Sequence, residues 1–479
     1  MRSLQLSPKS TTNGREPSDR RAVTPTFNVR RKDVPKTLVE ASAQLNSRTR
    51  SFPDSPSSSY HNQKSEALPG ICVTPIGFSL IQVPSSFPKL SDPAPSNVPP
   101  TDEEKGRYIE RAREPVLNSD DADTQLAWAS DALSWLAVCY ALERAVCDTK
   151  DPSFKSSVEG SELEVDAKNI IGFLVEQGHP RANFEKGKWL EFGQFGHRID
   201  KRSAFRLYRD ALSGGYMRAA YRMGMMYETS NDSTKAIEYY EKGSKEDDAA
   251  CCYRMAMMAF LGQHGQKVNF PKAILLLKTA ALRADENAPQ GAFVLGMLQA
   301  DELPNIRVPE LHDQASAREH LEKAAFLGFA KAQLKMGSAY ELANLGYPFD
   351  PALSMHYYEL ASHQGEPEAD MGISKWCLCG YEDLFETNEE IAFNRAKRAA
   401  SQDLPTALFA MGYFHEIGIH VDVDLDQAME WYRKAAKAGN LDATARINAV
   451  GLRIQREQHP PRVPGPGPWN RSPSPPYPT

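Results

Sequence analysis

No run of about 18 apolar residues occurs in the 479-residue chain, and the opening MRSLQLSPKS carries no apolar signal core. A membrane span and a secretory route are therefore not expected, and the chain reads as made and kept in the cytosol. Cysteine is scarce: Cys72, Cys139, Cys147, Cys251, Cys252, Cys377 and Cys379 are odd in number and contain no C-x-x-C pair. Cys377 and Cys379 are two apart, which on a helix aims them in different directions, and neither His356 nor His363 stands at a ligand spacing from them. No metal site is expected, and most of the thiols read as small apolar core residues in a reducing compartment. The sequence also lacks a Gly-rich phosphate loop, a nucleophile elbow and a zinc signature, so it offers no catalytic residue and no cofactor. Proline is sparse in the middle: of 34, 14 fall in residues 1–100 and 9 in residues 456–479, leaving 11 for the 355 residues between. Basic charge is short there too. The tails carry net +6 and +2 against −6 overall, which leaves −14 on the middle; no basic stripe remains to meet phosphates, and nucleic acid is not an expected partner.

The two ends read as tails without a core. Residues 1–100 are Ser- and Pro-rich, with a basic cluster at Arg20, Arg21, Arg30, Arg31, Lys32 and Lys36. Such a cluster is either merely solvated or makes weak contact with anionic membrane or with the acidic body. Residues 456–479 are too proline-dense for a core and suit extended polyproline structure. Six Ser/Thr-Pro pairs, at Ser7, Thr24, Ser55, Thr74, Ser472 and Ser474, all lie in these tails and are candidate phosphorylation sites.

Between the tails the chain repeats. Residues 101–179 hold three amphipathic segments: one that Pro115 should close, one carrying Leu126, Ala129, Leu133, Leu136 and Tyr140 on a face with Trp128 and Trp135 packed nearby, and one with Val165, Ile170 and Leu174 that Gly178 and Pro180 should end. They are expected to cap an array. From Pro180 a small residue marks the first helix of each of seven units: Gly187, Gly224, Ala256, Gly296, Gly337, Ser374 and Gly412. Another stands five residues earlier every time (Ala182, Ala219, Cys251, Gly291, Ala332, Ala369, Ala407). The second helices register independently, with Ala211, Gly243, Ala280, Ala324, Ala361, Ala399 and Ala435 each preceded seven residues back by Ala204, Ala236, Ala273, Ala317, Ser354, Ala392 and Ala428. Small residues at two fixed places per helix are what close helix-on-helix approach requires. A pair this short cannot bury its own apolar faces and must stack on copies of itself. Asp350-Pro351, Thr387-x-x-Glu390 and Asp424-x-x-Gln427 predict starts of second helices, residues 441–455 a lone capping helix. The expected fold is all-α: a right-handed solenoid of seven stacked helix pairs over residues 180–440, with disordered tails.

The pattern carried by ALFAMGYFH and AMEWYRKAAKAG resembles the Sel-like repeat, a relative of the tetratricopeptide repeat. Longer blocks such as DTQLAWASDALSWL, KGKWLEFGQFGHRIDK and EKAAFLGFAKAQLKMGSAYEL resemble the fungal branch containing chitin synthase regulatory factors and activators of the protein kinase C cell-wall pathway. That resemblance implies a non-catalytic adaptor at sites of cell-wall growth, with chitin synthase or signalling-kinase components as partners. His415 departs from the pattern's Tyr and reads as a packed residue. The chain ends PYPT where some chitin synthase activators carry a prenylation box, which argues against a lipid anchor.

At 100° per residue, the positions three before and one after each marker lie opposite the small-residue stripe. Three before stand Phe184, Tyr221, Tyr253, Phe293, Leu334, Met371 and Phe409; one after stand Lys188, Met225, Met257, Met297, Ser338, Lys375 and Tyr413. In tetratricopeptide-type solenoids the first helices line the concave groove, so Phe184, Tyr221, Met225, Tyr253, Met257, Phe293, Met297, Phe409 and Tyr413 form a candidate partner-binding ladder, with methionines suited to adaptable contacts. The plainer reading is packing between repeats. Acids such as Glu228, Glu341 and Glu416 read as solvated helix ends. A general scaffold, for instance in protein quality control, fits the repeats as well; an enzyme fits them least.

Overall fold

The computed structural model describes residues 87–88, 90, 95–146, 159–303, 306–382 and 384–458. The basic cluster, the six Ser/Thr-Pro pairs, Cys72, Cys147 and the Pro-rich tail of residues 459–479 lie outside the described residues. Those described form eighteen α-helices and two short 3-10 turns, with extended pairing limited to an isolated bridge between Tyr381 and Phe385.

Three helices precede the repeats: α1 (Asp102–Leu117), α2 (Ala122–Val146) and α3 (Glu162–Glu176). Thr101 and Glu104 close a capping box at the start of α1. Pro115 does not end this helix, contrary to expectation. Its missing N–H removes a single bond in the last turn, and the Asn118 N–H still reaches Glu114 O at 3.2 Å. In α3 the buried stripe is Leu163, Ala167, Ile170, Ile171 and Leu174; Val165 lies about 200° round from Leu163 and is exposed. Trp128 and Trp135 of α2 are buried, their indole N–H groups donating to Ile109 O at 2.9 Å and Asp102 O at 2.8 Å.

Seven helix pairs follow: α4 (Pro180–Phe192) with α5 (Lys201–Ser213), α6 (Arg218–Thr229) with α7 (Ser233–Lys245), α8 (Ala249–Leu261) with α9 (Phe270–Leu282), α10 (Gln290–Gln299) with α11 (Gln314–Phe326), α12 (Ala330–Leu342) with α13 (Pro351–His363), α14 (Pro367–Cys379) with α15 (Glu389–Ala400), and α16 (Pro405–Ile417) with α17 (Leu425–Lys437). A last helix, α18 (Leu441–Gln458), packs on α17. Every second helix begins at an Asp or Asn whose side chain accepts a backbone N–H: Asp200, Asp232, Asn269, Asp313, Asp350, Asn388 and Asp424. Asn388 takes the cap one residue after the Thr387 expected to supply it, its side chain accepting the Ile391 N–H at 2.9 Å.

The small residues set two kinds of contact. Within a repeat, the marker glycine lies under a ring on the second helix: a Cβ on Gly187, Gly337 or Gly412 would come within 2.6, 2.6 and 2.7 Å of Tyr208, Tyr358 and Tyr432. Gly224 meets Tyr240 in the same way. Where the marker is Ala256 the residue opposite shrinks to Leu277, and where it is Ser374 to Ala396, with Ser374 Oγ donating to Ala392 O at 2.7 Å. Between repeats, the other small residues meet: Gly291 approaches Ala280 so closely that a Cβ would sit 2.6 Å from it. The fourth marker, Gly296, is the exception among the glycines: it faces Leu321, from which a Cβ would sit 2.9 Å, so a ring does not cover every marker glycine.

The array also folds back on its own beginning. The α13 helix of the fifth repeat is buried on nearly all sides, including His356, Glu359 and Ser362. Its outer side meets the segment leading into α1: His356 Nε2 lies 2.9 Å from Pro99 O, His363 Nδ1 2.6 Å from Asp102 Oδ2, and the Phe87 ring 5.5 and 5.4 Å from the two imidazoles. The amino-terminal helices thus touch the first repeat, through Ala182 and Trp189, and the fifth as well.

Candidate functional site

First helices of successive repeats touch directly at α6–α8, α8–α10 and α12–α14, whereas no two second helices of successive repeats approach as closely among the described residues. The first helices are therefore the more closely packed of the two layers.

On that layer the predicted ladder is half-buried along most of its length. Tyr221, Met225, Tyr253, Met257, Phe293, Met297 and Phe409 each rest one side on a core cluster and keep the other open. Phe184 differs: it is 3% exposed, held between Tyr208 and Tyr216 at ring distances of 5.6 and 5.1 Å, and presents almost no surface. Tyr413 sits at the other extreme, 40% exposed. The ladder rings lean on the tyrosines that cover the marker glycines, Tyr221 on Tyr240 at 6.1 Å and Phe409 on Tyr432 at 5.1 Å, which holds them in place before any partner arrives. Burial pushes the Tyr221 and Tyr253 phenols above their usual range, although Arg222 and Arg254 pull Tyr221 back and Arg254 pulls Tyr253 back, so both rings stay neutral hydrogen-bonding groups at physiological pH.

The acids four residues after the marker are not solvated helix ends. Glu191, Glu228, Glu341 and Glu416 each accept the hydroxyl of the tyrosine in their own repeat, at 2.6, 2.8, 2.5 and 2.7 Å. Each also takes a cation from the next repeat's first helix or, for Glu416, from α18. Arg222 and Arg446 grip Glu191 and Glu416 with two nitrogens, Arg254 does the same to Glu228, and Lys375 reaches Glu341 at 2.6 Å. Glu228 is held below its usual carboxylate range: burial opposes this, but bonds from Arg254, Tyr240 and His264 outweigh it. These carboxylates tie one repeat to the next. Their signal was present in the sequence, since Glu stands four after the marker only in the units that pair a marker glycine with a tyrosine.

Cys139, Cys251, Cys252 and Cys377 are buried and Cys379 is exposed. Among the described residues, no group of three or more His, Cys, Asp or Glu side chains is arranged to hold a metal, and no helix is long and apolar enough to cross a membrane. His415 is partly buried with its ring against Phe393 at 6.0 Å.

Comparison with known proteins agrees with this geometry. The Sel1 repeat family matches residues 180–216, 218–248, 249–285, 291–329, 330–366 and 405–440; the α14–α15 pair falls between matches. Among relatives, chitin synthase regulatory factor 4 of Schizosaccharomyces pombe is 32% identical over 76% of this chain and 58% of its own length. Chitin synthase regulator SKT5 of Saccharomyces cerevisiae is 28% identical over 74% and 52%. Activator of C kinase protein 1 of the same yeast is 28% identical over 46% and 40%. The chain thus spans little more than half the length of the first two.

Proposed function

The chain is a Sel1-repeat protein related to the fungal chitin synthase regulatory factors, and on that premise we propose that it is a non-catalytic adaptor whose first-helix ladder binds a protein of the cell-wall machinery. Chitin synthase itself is the first partner to test and a component of the protein kinase C cell-wall pathway the second, since relatives carry both names. Its place would be the cytoplasmic side of sites of wall growth, held there by the partner.

One observation carries the proposal: Tyr221, Met225, Tyr253, Met257, Phe293 and Met297 run unbroken across three neighbouring first helices, half-buried on the crowded side of the stack. Water-facing positions would be polar, and sealed core positions would be closed; a half-open aromatic and methionine row suits an interface, where a few anchors carry most of the energy. The test replaces Tyr221, Met225 and Tyr253 by Ser and measures two quantities, the unfolding midpoint and recovery of a cytosolic chitin synthase fragment. Lost recovery at a preserved midpoint is expected. A midpoint fall matching roughly 2–5 kcal/mol per site would mark these residues as inter-repeat core, and full recovery at an unchanged midpoint would remove them from the interface.

A further inference from the structure

A second surface lies on another part of the molecule, the edge formed by the loops that join first to second helices. Phe349, from the fifth repeat, meets Trp376 and Tyr381 of the sixth at ring distances of 6.2 and 6.0 Å; Trp376 in turn contacts Phe385 at 5.7 Å. Phe349, Tyr381 and Leu384 are 48, 42 and 36% exposed, so the cluster is open to solvent. Trp376 is fixed by its indole N–H, which donates to Ser354 Oγ at 3.0 Å. The loop bearing the cluster is acidic. Residues 380–390, GYEDLFETNEE, hold five carboxylates and no Lys or Arg, and Glu382, Glu386, Glu389 and Glu390 are exposed.

An aromatic patch rimmed by carboxylates is complementary to a proline-rich segment bearing arginines. Proline rings stack on aromatic faces, the polyproline helix loses little entropy on docking, and guanidinium groups pair with the rim. This chain carries such a segment. Residues 459–479, HPPRVPGPGPWNRSPSPPYPT, contain nine prolines, Arg462 and Arg471, and no acid. They continue from α18, whose last turn lies on the same edge: Arg453, Ile454 and Glu457 share a hollow with Asp422, Val423 and Asp424 of the seventh repeat's loop. That loop adjoins the patch, because His420 N–H donates to Glu389 Oε2 at 3.1 Å. Two repeat steps separate α18 from α14, on the order of 20 Å at the usual helix spacing. An extended polyproline segment of this length spans about 65 Å.

We infer that the Pro/Arg-rich segment of residues 459–479 docks in cis on the aromatic and acidic patch formed by Phe349, Trp376, Tyr381, Leu384 and Phe385. The site is separate from the first-helix ladder and stands whether or not the ladder binds a partner. Tethering supplies the high effective concentration that a weak stacking contact needs, and phosphate on Ser472 or Ser474 would set negative charge against the carboxylate rim and release the segment.

The full-length chain carrying Tyr381→p-benzoylphenylalanine is irradiated and its products are mapped by mass spectrometry. Cross-links to residues 459–479 in a product of monomer mass are expected. Cross-links only to other segments, a dimer-mass product joining the tail of a second copy, or no cross-link at all would each overturn docking in cis. In parallel, trypsin cleavage after Arg462 and Arg471 is followed in the parent chain and in the Phe349→Ser/Tyr381→Ser variant, whose unfolding midpoint should be unchanged because both side chains are already about half exposed. Cleavage of the variant should be roughly threefold faster or more, since proteolysis tracks the population of the open form; equal rates would count against the proposal.

Discussion

Gly412 shows how little freedom a single position has in this stack. Its missing Cβ makes room for Tyr432, the Tyr432 hydroxyl reaches Glu416, and Glu416 holds Arg446 of α18. Burial, with Glu416 adding to it, pushes the Tyr432 phenol far above its ordinary range, so it donates to the carboxylate at any physiological pH. Gly412→Ala would place a methyl group 2.7 Å from that ring. We expect a loss of about 1–3 kcal/mol by denaturant titration, beyond any gain in helix propensity, because the ring can retreat only by giving up Glu416. An unchanged midpoint would mean that α16 and α17 are less tightly apposed than they stand here.

At the scale of the helix, the same logic makes the repeat registers readable. Ala396, Ala399 and Ala400 of α15 are buried against Ala407 and Leu408 of α16, and Ala399→Trp should overpack that junction and cost on the order of 1–3 kcal/mol in thermal or chemical unfolding. Helix existence followed from two stripes of small residues, which only close approach can explain. Helix ends followed less well. Pro115 lies inside α1 and Asn388 takes the cap of α15, since a terminus is decided by whichever nearby group best satisfies a free N–H or C=O.

For the molecule as a whole, the contact between the lead-in segment and the fifth repeat is the feature with a pH signature. Burial works against a charged His363, yet its bonds to Asp102 and Glu359 outweigh that and raise its pKa from 6.5 to about 9. Asp102 faces it from the amino-terminal side, Glu359 from its own helix with Arg395 of α15 behind, and the Phe87 ring closes the site. A folded-state value above the ordinary one means that the charged ring stabilises the fold fully below about pH 6.5 and loses this contribution as pH rises through about 9. His356 has the opposite sense: burial lowers its pKa, so its neutral form is favoured and its cost appears on acidification. Comparing the parent with His363→Gln, the difference in unfolding temperature should be largest below about pH 6.5 and shrink as pH rises towards 10. A difference independent of pH would show that the ring is held neutral.

The repeat, its helix pairs and the candidate ladder were legible in the chain because they are local: a period of some 37 residues, small residues where backbones touch, and large ones on the opposite face. The Glu–Tyr–Arg ties could have been read the same way, from Glu four places after a marker glycine. Which ladder members stay open depended on neighbours, as Phe184 shows by vanishing between Tyr208 and Tyr216. The return of residues 87–102 onto α13, and the gathering of Phe349 with Trp376 and Tyr381, belong to the tertiary structure alone. His356 and Pro99 are 257 residues apart, and no pattern within one repeat encodes how far the stack curves. That curvature is the sum of small rotations at each junction, set by the volumes that meet there.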